Sequence, residues 1–149
     1  AAGVRFLLNP APMPADGLPA ALLAATDVLI PNQPEAAALT GLPADSDDAA
    51  WAAALRRLGP PLVVLTQGAR GALVVTPDDA FQVPAYPVTP VDTTAAGDAF
   101  CAALAVALAR GTALRPATHQ ACAAGALTTT RRGAQPSLPS AREVAELVG

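Results

Sequence analysis

The apolar positions of this chain form short β-branched runs and longer Ala-rich stretches, with Pro and Gly between them. The short runs read as strands. Val4 to Leu8 is the first, ended by Asn9-Pro10, and Asp27 to Ile30 the second, stopped by Pro31. Leu62 to Thr66 is apolar throughout, the mark of a strand covered on both faces. Gly68 and Gly71 then bracket a tight turn into a strand from Ala72 to Thr76. Pro77-Asp78-Asp79 is a further turn, with Phe81 to Val83 returning after it. The longer stretches read as helices. Leu18 to Ala25 is opened by Pro19, and Pro34 to Thr40 is ended by Gly41. Asp45 to Leu58 repeats Ala49, Ala52, Ala53 and Leu55 at helical spacing and stops at Gly59. Three more follow: Gly97 to Arg110 closed by Gly111, Leu114 or Pro116 to about Thr129, and Ala141 to Val148.

The resulting order, β-α-β-α-α-β-β-β-α-α-α, predicts an α/β layered fold with a largely parallel sheet and one antiparallel hairpin. No internal repeat, low-complexity linker or second domain is visible, and 149 residues suffice for one domain with a real core. Hydrophobic residues make up 52% of the chain and aromatics only 3%, which suits small-residue helices packed on a sheet. All basic charge is Arg, so a catalytic Lys or a Walker-type phosphate loop is excluded within these residues. A net charge of −3 argues against a nucleic-acid surface. The sequence shows neither a signal peptide nor an apolar run of about 18 residues, so no membrane partner is expected. Cys101 and Cys122 lie in apolar helical patterns and read as buried thiols of a reducing cytoplasm. One His and no Cys/His spacing make a thiolate or imidazole metal site improbable. The chain starts at Ala1-Ala2-Gly3 without Met, directly before a strand, and reads as a piece of a longer protein.

Chemistry concentrates in Val91-Asp92-Thr93-Thr94-Ala95-Ala96-Gly97-Asp98-Ala99-Phe100, where a Pro-bounded segment enters a helix. Ala95, Ala96 and Gly97 are small enough for a ligand to approach the backbone. The first N–H groups of a helix lack intrahelical partners and attract an anion. Asp98 puts a carboxylate in that same turn, where taking a proton from an attacking hydroxyl would justify it. The plainer alternative is that Asp92, Thr93 or Thr94 caps the helix and Asp98 serves the dipole. Asn32-Gln33-Pro34-Glu35 has two readings as well. Either it caps a helix with Asn32 as cap and Pro34 at the first position, or it presents oxygen ligands after the Val28–Ile30 strand. In open α/β sheets ligands gather beyond the C-terminal ends of strands. Asn32 and Glu35, then Thr66, Gln67, Gly68, Ala69, Arg70 and Gly71, fall at such ends, as a nucleotide cleft would require.

Asp92-Thr93-Thr94-Ala95-Ala96-Gly97-Asp98 resembles the C-terminal signature of the PfkB-type sugar kinases. Three further segments resemble the ribokinases of that family, in the right order: Leu8-Asn9-Pro10-Ala11-Pro12, Pro31-Asn32-Gln33-Pro34-Glu35-Ala36 with Leu39-Thr40-Gly41, and Thr130-Arg131-Arg132-Gly133-Ala134-Gln135-Pro136-Ser137. The resemblance covers the whole chain and the second half of such an enzyme. It implies a Rossmann-like three-layer α/β/α sandwich, with residues 1–149 as the C-terminal, nucleotide-binding half of a kinase domain. It implies ATP-dependent phosphorylation of a primary hydroxyl, that of D-ribose giving ribose 5-phosphate. Other pentose or nucleoside kinases, or a non-catalytic nucleotide-binding fragment, are the alternatives, and residues 1–149 alone are expected to be inactive.

Carried over residue by residue, the resemblance makes Asp98 the base that meets the sugar hydroxyl, and Ala95, Ala96 and Gly97 the anion hole. Asn32 would contact phosphate, and Glu35 would orient a water on Mg²⁺. Gln33 stands where members usually carry an acidic residue. Thr66 to Gly71 match the loop past the phosphates and ribose, with Gly97 also at the nucleotide. Cys122 stands where a nucleotide-contacting His is frequent. Asp92, Thr94, Thr128, Arg131, Gly133 and Ser137 fall where the ribokinases hold an activating K⁺. There Asp92 and Ser137 give side-chain oxygens, and the others mostly carbonyls. The partners implied are ATP and a small sugar, and the intact enzyme is expected to be a homodimer. His119, Trp51 and Tyr86 carry no assignable role.

Overall fold

The computed structural model describes residues 4–149. It divides into two compact units, Ala1–Gln67 with Leu73–Gln82, and Gly68–Ala72 with Val83–Gly149.

The first unit holds β1 (Leu7–Leu8), α1 (Ala20–Ala24), β2 (Val28–Leu29), α2 (Gln33–Thr40), α3 (Asp48–Leu55) and β3 (Leu62–Thr66). It also holds nearly all of β4 (Ala72–Val75) and β5 (Ala80–Val83). The strands lie in the order β1-β2-β3-β4-β5. β1, β2 and β3 run parallel, with Leu8 opposite Leu29 and Leu29 opposite Val63. Parallel neighbours need a long crossover, which α1 supplies in one case and α2 with α3 in the other. Residues 67–71 and 76–79 are too short for that, so β3, β4 and β5 follow one another as hairpins. The Thr76 amide closes the second one on the Asp79 carbonyl at 2.9 Å. The sheet is therefore mixed, with one hairpin more than the sequence reading predicts.

Val63, Val64 and Leu65 are all buried, as are all four residues of β4, so both faces of these strands are covered. Leu29, Ala36, Trp51, Leu55, Val63, Leu65, Leu73 and Val75 form one cluster. Trp51 is its largest fully buried member, which gives this residue the structural role the sequence left blank. Truncating such a side chain to Ala costs about 3–5 kcal/mol.

The second unit consists mainly of α4 (Ala96–Ala109), α5 (Leu114–Thr129) and α6 (Ala141–Val148). α4 and α5 pack along each other, and α5 also meets α6. Buried Ala99 and Ala107 on α4, and Ala117, Ala121 and Ala124 on α5, are small residues that allow a close approach. At Gly125 a β-carbon would sit only 3.3 Å from the Ala96 carbonyl oxygen, so α5 meets the start of α4 backbone to backbone.

Element order and type follow the sequence pattern, while several ends move inward. β1 is confined to Leu7–Leu8, although the Phe6 carbonyl already accepts from the Asp27 and Val28 amides. Val4 lies exposed before it. α3 starts three residues later than expected because Asp47 is the cap, accepting from the Ala50 amide at 2.8 Å. Its last turn tightens into a 3₁₀ helix over Arg56–Leu58 before Gly59 turns left-handed at φ 103°.

Candidate active site

Four residues prepare the start of α4. Ala95 is the cap residue and adopts the left-handed conformation at φ 61°, ψ 8°. For a residue with a β-carbon this costs about 1–2 kcal/mol. Neither Asp92, Thr93 nor Thr94 caps the helix with its side chain. The Ala96 amide reaches the Thr93 carbonyl at 3.3 Å, and the Ala99 amide the Ala95 carbonyl at 2.9 Å. Among the described residues the amides of Gly97 and Asp98 have no hydrogen-bond partner. Two open donors at a helix start attract an anion, and the exposed Asp98 carboxylate stands in the same turn. This favours the anion-binding reading over simple capping.

Asp92 holds the approach to that turn. Its Oδ1 accepts from the Thr94 amide at 3.0 Å and the Thr94 hydroxyl at 2.7 Å, and its Oδ2 from the Gly133 amide at 2.9 Å. Val91 and Asp92 donate their own amides to the Thr129 carbonyl at the end of α5. The Gly133 amide first, then the Thr94 hydroxyl and amide, lower the Asp92 carboxyl to about 2. Asp92, Thr94 and Gly133 thus meet directly.

The other candidates of that group have local partners. Buried Thr128 donates its hydroxyl to the Ala124 carbonyl at 2.9 Å, and buried Ser137 to the Ala134 carbonyl at 2.6 Å. The Arg131 guanidinium pairs with Glu143. That leaves main-chain carbonyls and hydroxyl lone pairs as what these residues can offer a cation.

In the first unit Asn32 and Glu35 form a reciprocal capping box. The Glu35 amide donates to Asn32 Oδ1 at 2.9 Å, and the Asn32 amide to Glu35 Oε2 at 2.8 Å. Asn32 Nδ2 also donates to Glu35 Oε1 at 3.0 Å. The structure therefore confirms the capping reading, with Pro34 in the first turn. It does not exhaust the carboxylate: each Glu35 oxygen receives one bond and keeps a lone pair. Asn32 is bridged to Thr66, so these two positions meet at the ends of β2 and β3. Gln67 is buried, donates Nε2 to Asp48 at 2.8 Å, and leaves its buried Oε1 without a partner among the described residues. Its side chain serves α3, so what Gln67 can offer a ligand is its backbone and that one oxygen.

Within the second unit, Gly68 to Arg70 form a 3₁₀ turn and the Gly71 amide donates to the Gly68 carbonyl at 3.0 Å. Gly71 is required twice over. Its φ is 94°, and a β-carbon there would lie 2.1 Å from the Val83 carbonyl oxygen. Ala69 and Arg70 are exposed on the turn. Cys122 is buried and burial pushes its thiol up to about 12, so it acts as a small neutral group. Cys101 is only half-buried, against expectation.

Sequence reading missed that Tyr86 and His119 meet edge to face, ring centres 6.3 Å apart, with the Tyr86 hydroxyl 3.4 Å from His119 Nδ1. The two lie 33 positions apart, and no local pattern announces the pair. Among the described residues no group of three His, Cys, Asp or Glu side chains is placed to hold a metal. Nor is any helix among them long and apolar enough to cross a membrane.

Comparison with known proteins gives the family and the fold. The family described as pfkB family carbohydrate kinase matches residues 1–141. The bifunctional ribokinase/ribose-5-phosphate isomerase A of Fructilactobacillus sanfranciscensis is 40% identical over 98% of the chain and 27% of its own length. The ribokinase of Thermotoga maritima superposes with a TM-score of 0.87 at 34% identity, over 98% of the chain and 49% of its own. Arabidopsis thaliana ribokinase, solved with ribose and ATP, gives 0.86 at 32% identity, over 98% and 48%. The chain thus spans about half the length of the ribokinase structures it matches. With a ribokinase-like α/β fold and that signature in place, the chain belongs to the pfkB family of carbohydrate kinases.

Proposed function

We propose that these residues form the nucleotide-binding half of an ATP-dependent kinase that phosphorylates the primary hydroxyl of D-ribose, giving ribose 5-phosphate. The observation that carries this reading is the start of α4, where exposed Asp98 stands beside the open amides of Gly97 and Asp98. Asp98 takes the proton of the attacking hydroxyl as the new oxygen–phosphorus bond forms and the bond to ADP breaks. The open amides of Gly97 and Asp98 receive the charge that develops on the transferring group, while the Ala96 amide is held by the Thr93 carbonyl. Because phosphoryl transfer depends on positioning, the fixed backbone of this turn matters as much as the base.

Two ions belong to the proposal. Glu35 suits Mg²⁺ held through water, since each oxygen of its carboxylate keeps a free lone pair, and Asn32 would contact phosphate. Mg²⁺ neutralises charge on the phosphates when bound. Asp92, Thr94, Thr128, Arg131, Gly133 and Ser137 would hold K⁺. The charge that Asp92 keeps at neutral pH fits a cation, and the ion would steady the loop before α4. Thr66 to Gly71 would pass the nucleotide, with Cys122 as an apolar neighbour. We place the enzyme in the cytoplasm as a homodimer, working without nucleic acid or membrane. The buried thiol of Cys122 fits a reducing compartment.

The test is an assay on the intact polypeptide that carries these residues. With ATP, Mg²⁺ and K⁺ it should convert D-ribose to ribose 5-phosphate, read by phosphorus NMR. Replacing K⁺ by Na⁺ or choline at equal ionic strength should slow it. Equal rates in all three salts would remove the K⁺ site. Absence of any sugar phosphate would overturn the reading.

A further inference from the structure

Glu143 ties the last helix to the loop before α4. Its Oε2 accepts from the Ser140 amide and hydroxyl, both at 2.7 Å, closing the capping box of α6. Its Oε1 takes the Arg131 guanidinium. Arg131 stands two residues before Gly133, whose amide donates to Asp92 at 2.9 Å. Asp92 in turn fixes Thr94 through the Thr94 amide and hydroxyl. From Thr94 the chain passes through left-handed Ala95 into the open amides of α4. Each step is one hydrogen bond or a few residues of backbone. Glu143 and Arg131 form an ion pair at the surface. Its side chains are 41% and 33% exposed, so its Coulomb energy is small and its geometry is what counts.

We infer that Glu143, acting through Arg131, is a positioning residue for the Ala95–Asp98 turn. α6 sets the 131–133 segment, and the Gly133–Asp92 bond passes that setting to Thr94 and the helix start. The catalytic consequence rests on the function proposed above; the mechanical coupling does not.

Glu143→Gln separates the two jobs of this side chain. Gln still accepts from the Ser140 amide, so the capping box and α6 persist, while the charged partner of Arg131 is gone. The intact polypeptide is compared with its Glu143→Gln, Arg131→Gln, Arg131→Lys and double Gln variants. Amide hydrogen exchange at Gly133 and Thr94 should rise about tenfold in both single Gln variants, with no change inside α5. kcat should fall about three- to tenfold with the KM for ATP within about twofold, and the double variant should be no worse than either single one. Arg131→Lys, which keeps the charge, should recover most of kcat. Unchanged exchange at Gly133 would overturn the coupling. Changed exchange with unchanged kcat in an active enzyme would overturn the positioning role. If the parent transfers no phosphoryl group while exchange responds as expected, the kinase reading falls and the coupling stands.

Discussion

Asp92 shows at the residue scale how the loop before α4 is held. Three donors converge on its carboxylate, and the folded chain therefore favours the anion. Its carboxyl lies at about 2, against an ordinary value of 3.8. A depressed folded-state value means that its contribution is complete above pH 3.8 and is lost as pH falls towards 2. A carboxyl-carbon NMR titration should therefore give Asp92 a midpoint near 2, and Asp92→Asn should remove that acid-labile contribution. A midpoint at or above 3.8 would contradict the Gly133 clasp. The carboxylate and its Thr94 partner are legible in the sequence because they are two residues apart. The Gly133 bond spans 41 positions and is not. Asn32 and Glu35 show a different limit. The spacing that marks a metal and phosphate motif also makes a capping box, and the structure shows the box formed while leaving lone pairs for the other use.

At the element scale the prominent feature is the close meeting of α5 with the start of α4. The gap at Gly125 faces the carbonyl of Ala96, one of the residues of the proposed anion-binding turn. Gly125→Ala must move that carbonyl by a few tenths of an ångström, and Gly125→Val by more. Helix propensity favours Ala over Gly by about 1 kcal/mol, which offsets part of the crowding in stability but none of it in position. We expect Gly125→Val to lower kcat about tenfold or more while the chain still folds by circular dichroism. Unchanged kcat would show that the turn tolerates displacement of Ala96. Helix and strand identities were legible from periodicity and from Gly and Pro stops such as Gly41 and Gly59. Ends such as that of α3 were not, because Asp45, Asp47 and Asp48 all suit a cap and only the fold chooses Asp47. The left-handed Ala95 was also invisible, since no local rule assigns that conformation to Ala.

At the scale of the whole molecule, the fold class and family were legible because four separated segments agree with one another. Paired distant side chains, such as Tyr86 with His119 and Gln67 with Asp48, were not. The chain matches about half the length of the solved ribokinases. It supplies the proposed base and open amides, and for transfer a hydroxyl must also be gripped within hydrogen-bond reach of Asp98. Residues 1–149 expressed alone should therefore phosphorylate ribose far more slowly than the intact polypeptide. A rate within about tenfold of it would reveal a sugar grip inside these residues. The central claim is that Asp98 is the base of an anion-binding turn. Steady-state kinetics of Asp98→Asn in the intact polypeptide test it most directly. The account predicts that kcat falls by roughly 10²–10⁴ with ATP affinity nearly unchanged. A loss smaller than about tenfold would contradict it.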